Sequence, residues 1–286
     1  MRLLPFFLLT FLLSVSLQAS SIFGNKDQQN SSIYLNYIKE LLITTQKTRG
    51  LTNSYLNGEK GAVVFTFQNR SKMKKILLKM QHSALTKDPY IKKQTNTIEQ
   101  ELLALNKSVL KMEPKKAFQA YSQEIDKILT LAQTLEKRMS THLDDFGKKS
   151  AYIMVNIILP LTESVGQLRG YGAGIAAKKF VSTQDKKNIT VIIHNIEKLK
   201  TQLDMQMQKL VAQYQSHFTT PIRHEVSVVD AAIDAYIQQT TTHLLVNPKD
   251  VDADQYFQTG TQLIAKILRI YKRCNDAMLD DAQGWF

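Results

Sequence analysis

A chain of 286 residues, 43% of them hydrophobic, is long enough for one large domain or two modest ones with a packed core. Its 6 Pro and 11 Gly are too few for the many tight turns of an all-β fold, and the abundance of Leu, Lys, Gln and Ala favours long helices. The 37 Lys and Arg outnumber the 25 Asp and Glu, giving +12, but the excess is spread as pairs such as Lys74-Lys75, Lys115-Lys116 and Lys186-Lys187. No arginine-rich arm or nucleic-acid motif accompanies them, so DNA or RNA is not expected as a partner.

Residues 1–21 read as a signal peptide: Arg2, an apolar run from Leu3 to Leu13, then small and polar residues through Ala19 and Ser20. The run is short and punctuated for a membrane-spanning helix, which needs roughly 20 apolar residues. Export to the periplasm is the expectation, with an N-terminal inner-membrane anchor as the alternative. The single cysteine, Cys274, is then most simply a buried small hydrophobe. Residues 22–31 are polar and read as a flexible segment.

From Ser32 the pattern turns helical. Breakers and caps such as Asn57-Gly58, Asp88-Pro89, Glu113-Pro114, Asp144 to Gly147, Ser182-Thr183, Thr220-Pro221 and Asn247-Pro248 divide it. They leave eight stretches, roughly 32–56, 60–85, 91–112, 115–142, 148–180, 183–217, 221–245 and 254–280. Ser182 with Asp185 makes a capping box, and Thr220 before Pro221 a helix start. Short connections between eight helices predict an all-α fold of two four-helix bundles, roughly 32–143 and 148–281. Pro160, inside the fifth stretch, should kink its helix because the ring removes one helical hydrogen bond.

Two arginines break the apolar stripes. Leu35, Ile38, Leu42 and Thr45 continue to Arg49, then Thr52 and Leu56; Val155, Ile158, Thr162 and Val165 continue to Arg169, then Gly172 and Ala176. Each guanidinium thus points along a core face, where an unpaired charge costs several kcal/mol. The stripe alone leaves open whether the compensating anion is a carboxylate on another helix or a bound ligand. Gly166, Gly170, Gly172 and Gly174 crowd one helix at a cost of up to about 1 kcal/mol each, a pattern suited to close backbone approach or a ligand. Gln46 faces the same way as Arg49, one turn earlier. A planar guanidinium fork with nearby amide donors suits a small planar oxyanion. The candidate ligand-binding residues are Arg49, Arg169, Gln46, Gly50, Gly166 and Gly170.

The segments ELLITTQKTRGLTNSYL (Glu40 to Leu56) and LTESVGQLRGYGAGIAA (Leu161 to Ala177) resemble the two signature stretches of the nitrate- and nitrite-sensing domain family, NIT. That family carries a Gln-x-Glu-Arg-Gly-like motif in its first helix and an Ile-Gly-x-Leu-Arg-like motif later, followed by small residues. Asp254-Gln255-Tyr256-Phe257, then Thr261 and Ile264, is also like the family's end. Thr48 replaces an acidic residue of the pattern and Val165 an isoleucine. The resemblance, over about 32–281, implies a pair of bundles that bind nitrate or nitrite, with Arg49 and Arg169 in the site. NIT domains usually sit on chemoreceptors, kinases, cyclases or antiterminators. This chain ends at Phe286 with no output module, so the expected relay partner is a separate membrane sensor kinase or chemoreceptor, and a homodimer is compatible with the reading.

Enzyme signatures are missing. The six histidines are dispersed without metal-ligand spacing, Gly58-Glu59-Lys60-Gly61 lacks the ending of a phosphate loop, and no catalytic residue, cofactor or metal is expected. The rival to a sensor is a helical interaction or scaffold module of the cell envelope that binds no ligand. Sequencing the N-terminus of the periplasmic protein should find it starting near Ser20 or Ile22; a membrane-bound chain that keeps Arg2 would refute export with cleavage.

Overall fold

Three-to-four spacing of apolar residues commits each segment to a helix that must bury one face. On the last helix Tyr256, Leu263, Ile264, Ile267, Ile270, Tyr271, Cys274 and Met278 form such a stripe, all buried. A computed structural model describes residues 4–218 and 222–284, with side chains from Lys26 onward. The helices are α1 (Leu4–Leu56), α2 (Ala62–Gln81), α3 (Pro89–Ser108), α4 (Pro114–Met139), α5 (Asp145–Ile153), α6 (Leu159–Lys178), α7 (Thr183–Gln213), α8 (Ile222–Gln238) and α9 (Ala253–Ala282). A π-helical turn, Met154–Ile158, joins α5 to α6, so the two form one rod, Asp145–Lys178. Among the described residues there is no strand.

The eight rods make the two expected bundles. α1 packs on α2 and α4, with α3 closing the first; α6 packs on α7 and α9, with α8 closing the second. Both share one continuous apolar core, and α1 also packs along α9. Each fully buried Leu or Ile contributes about 1.5–3 kcal/mol to this association. The rod Asp145–Lys178 is the only helix among the described residues long and apolar enough to cross a membrane. It is instead the central core helix, 72% buried in its most apolar stretch.

Helix ends follow local chemistry. Asp88 caps α3 by accepting from the Tyr90 and Ile91 amides, with Pro89 at the first helical position. Asp144 caps α5 through the Gly147 amide, and Asp252 caps α9 through that of Gln255. Ser182 and Asp185 form the predicted reciprocal capping box. Pro160 falls on the first turn after the π segment; there the Leu159 amide reaches back five residues to the Met154 carbonyl. The widened turn takes up the missing proline donor without ending the rod. Thr220-Pro221, the side chains of residues 1–21, and Trp285 with Phe286 lie outside the described residues.

The segment read as flexible is corrected from Lys26 onward. α1 is already helical there, and Gln28, Ser31 and Ser32 are buried. Gln28 donates to Asp281 Oδ2 at 2.6 Å and accepts from the Asp144 amide at 3.3 Å; Ser32 donates to Asn275 Oδ1 at 2.9 Å. This face docks on α9 through hydrogen bonds between polar groups, so no apolar stripe announces it.

α6 and α9 meet at closest approach through glycine. A methyl group on Gly172 would overlap the Tyr256 ring, and one on Gly260 would stand 2.6 Å from Tyr236 Oη and 2.9 Å from Arg169 Cβ. The Tyr256 ring cannot swing aside, because it is buried and its hydroxyl is held at 2.8 Å by Thr240 Oγ1. Gly172→Ala should therefore destabilise by about 1–3 kcal/mol through overpacking. Gly174→Ala, with open space around it, should be neutral or stabilise by up to about 1 kcal/mol. Denaturant melts of the two variants measure the contrast, and equal effects would refute the close-packing account.

Candidate functional site

The stripes deliver both arginines to the core as their spacing predicts. Arg49 is 1% exposed and Arg169 is 6% exposed, where α1 faces α6. Their surroundings repeat. Arg49 Nη1 donates to Ser122 Oγ at 2.8 Å, its guanidinium lies 4.6 Å from the centre of the Phe118 ring, and that ring sits against Gly170. Arg169 Nη1 donates to Thr261 Oγ1 at 2.9 Å, its guanidinium lies 4.5 Å from the centre of the Phe257 ring, and that ring sits against Gly50. Ser122 and Thr261 each lie one turn after their phenylalanine and bond back to its carbonyl. Each half thus has an Arg-Gly pair on its first long helix (α1 or α6) and an aromatic-hydroxyl pair on its last helix in chain order (α4 or α9). Each phenylalanine stacks on its own half's arginine and fills the space over the other half's glycine.

The repeat breaks at Glu163. Its Oε1 accepts from Arg49 Nη1 at 2.7 Å and from Gln167 Nε2 at 2.8 Å; its Oε2 accepts from Arg49 Nη2 at 3.2 Å and from Gln46 Nε2 at 2.9 Å. This bidentate pair is almost wholly buried on both sides. Aligning Arg49-Gly50 with Arg169-Gly170 sets Glu163 opposite Ile43 and Gln46 opposite Gly166. The positions that would serve Arg169 by the same symmetry hold Ile43 and Gly166, and among the described residues Arg169 forms no salt bridge. Its Nε is buried without a hydrogen-bond partner. Burial, reinforced by the charge of Arg49, holds the Arg169 guanidinium down at about 10.

All six residues singled out from the sequence meet at this crossing. Gly166 lies under Arg49 Nη2 and the Gln46 amide, so its missing side chain leaves room for both; Gly50 and Gly170 receive the two phenyl rings. The choice that the stripe leaves open falls at Arg49 on a carboxylate: Glu163 fills its fork, and the neighbouring Gln46, expected to donate to a ligand, donates to that same carboxylate. Glu163, Phe118, Ser122 and Gln167 were not singled out. Glu163 did carry a signal, since it is the only carboxylate between Asp145 and Asp185, set within an apolar helix. Among the dispersed histidines, His217 Nε2 lies 3.1 Å from Asp281 Oδ1.

The two bundles bring both buried arginines to the crossing of α1 and α6. The family model described as nitrate and nitrite sensing, NIT, matches residues 40–283, and the chain belongs to that family. The solved structure titled "Structure of the NasR transcription antiterminator" shares the fold, with a TM-score of 0.63 at 16% identity, over 98% of this chain and 75% of that one. No curated protein matches the chain significantly.

The two arginines should differ in stability assays. Arg49→Ala strands a buried carboxylate and should cost about 3–5 kcal/mol. Arg169→Met keeps the volume, removes a buried charge that has no carboxylate partner, and should be neutral or stabilising. Denaturant melts without added anion decide it; equal large losses would mean that Arg169 is compensated as well as Arg49.

Proposed function

We propose that this chain is an exported sensor domain that binds nitrate or nitrite between its two bundles and relays occupancy to a separate membrane protein, without catalysing a reaction. The observation that carries the reading is Arg169: a buried guanidinium, stacked on Phe257, with an unpartnered Nε and no carboxylate of its own. A planar monoanion offers only acceptors and supplies what that fork lacks. Export is supported by Arg2 and the apolar run that follows it.

Both arginines are covered by packed helices, so an anion enters only when α1 and α6 part. Binding then selects a second arrangement of the bundles, which is what a signal requires. The π turn at Met154–Ile158, just before Pro160, is the place in the central rod where the hydrogen-bond ladder is already irregular. The closed Arg49–Glu163 pair is the one observation that favours the scaffold reading, because it needs no ligand.

Calorimetric titration of the mature protein with nitrate, nitrite, chloride and sulfate tests the proposal. Nitrate or nitrite should bind, and Arg169→Lys should weaken binding sharply, since an ammonium lacks the planar fork. Affinity for nitrate that is unchanged by Arg169→Ala would remove Arg169 from the site; no binding of either oxyanion would favour the scaffold.

A further inference from the structure

We propose that Glu163 sets the valence of the anion this site accepts, leaving the buried cluster one positive charge in excess so that a monovalent oxyanion neutralises it and a divalent one does not. The inference rests on the sensing reading above and deepens it.

Three buried charged side chains meet between α1 and α6: the guanidinium groups of Arg49 and Arg169 and the carboxylate of Glu163. All four contacts to Glu163 come from N–H groups, which only donate, so its two oxygens are occupied as acceptors. That pattern belongs to the ionised carboxylate. The cluster therefore sums to a single positive charge. The other titratable groups that face it do not change the sum. Tyr236, close to Arg169, is buried and its hydroxyl is pushed well up, so it stays neutral. Asp126, on the outer face of α4, feels both Glu163 and Arg49; partial burial, followed by the Glu163 charge, raises its carboxyl and so disfavours its charged form.

In a buried site the net charge, more than the number of donors, decides which ion is tolerated, because each uncompensated charge is costly away from water. The repeat within the chain shows what Glu163 does. The two halves supply the same arginine, aromatic ring and hydroxyl, yet only one supplies a carboxylate, and its counterpart is Ile43. Two carboxylates would leave a neutral cluster with no call for an anion, and none would leave a site for a dianion such as sulfate.

Glu163→Gln keeps the side chain's size and one acceptor while removing its charge. Thermal shift and calorimetry with nitrate and with sulfate should show the wild type responding to nitrate and not to sulfate. In the variant, sulfate binding should strengthen by roughly 100-fold or more, with the preference for nitrate lost. The double variant Arg49→Gln with Glu163→Gln returns the cluster to one positive charge, and discrimination against sulfate should return with it. If Glu163→Gln fails to fold, Arg49→Gln alone, with zero net charge, should lose nitrate and the double variant should regain it. A wild type that binds nitrate while Glu163→Gln still rejects sulfate overturns this proposal and leaves the sensing reading standing. A double variant that accepts sulfate as readily as Glu163→Gln overturns it as well. A wild type that binds neither nitrate nor nitrite overturns both.

Discussion

Two guanidinium groups buried side by side repel each other, and the architecture around the α1–α6 crossing answers that repulsion. Phe118 and Phe257 present ring faces to the charges, Ser122 and Thr261 accept one hydrogen bond each, and Glu163 cancels one charge outright. The glycines follow from the same constraint. Gly50 and Gly170 give the rings their seats, and Gly166 leaves room for the Arg49 fork and the Gln46 amide. None of these features would be needed if the stripe positions held leucine.

The crossing also joins the two bundles into one molecule. α1 belongs to the first and α6 to the second, yet the ion pair and both aromatic rings reach across, and the apolar core runs through without a break. Compensation of Arg49 therefore depends on the second bundle being in place, and the packing over Arg169 depends on the first. A site built this way depends on the relative position of the two bundles.

Much of this was legible in the sequence. The stripes through Arg49 and Arg169 follow from residue spacing alone, and every position they name from Leu35 to Thr52 and from Val155 to Ala176 is buried. The partner of Arg49 was not legible, because an ion pair between distant helices leaves no trace in the periodicity of either one. The start of α1 was misread for a related reason. Hydrophobic patterning detects faces that bury against apolar neighbours, and Gln28, Ser31 and Ser32 bury against the polar edge of α9. The Arg-Gly echo between the halves was visible as two residues; its extension to Phe118 with Ser122 and Phe257 with Thr261 needed the fold to bring four helices together.

The unbroken run of α1 has a mechanical meaning. An α-helix rises about 1.5 Å per residue, so the stretch between Gln28 and Arg49 is a stiff strut of roughly 30 Å. One end is gripped by the Arg49–Glu163 pair, the other by the clasp of Gln28 with Asp281 and the Asp144 amide. Such a strut does not compress; it slides or tilts as a whole. An event confined to a few ångströms around one arginine is thereby felt at the far end of the molecule, where the chain leaves toward its N-terminus.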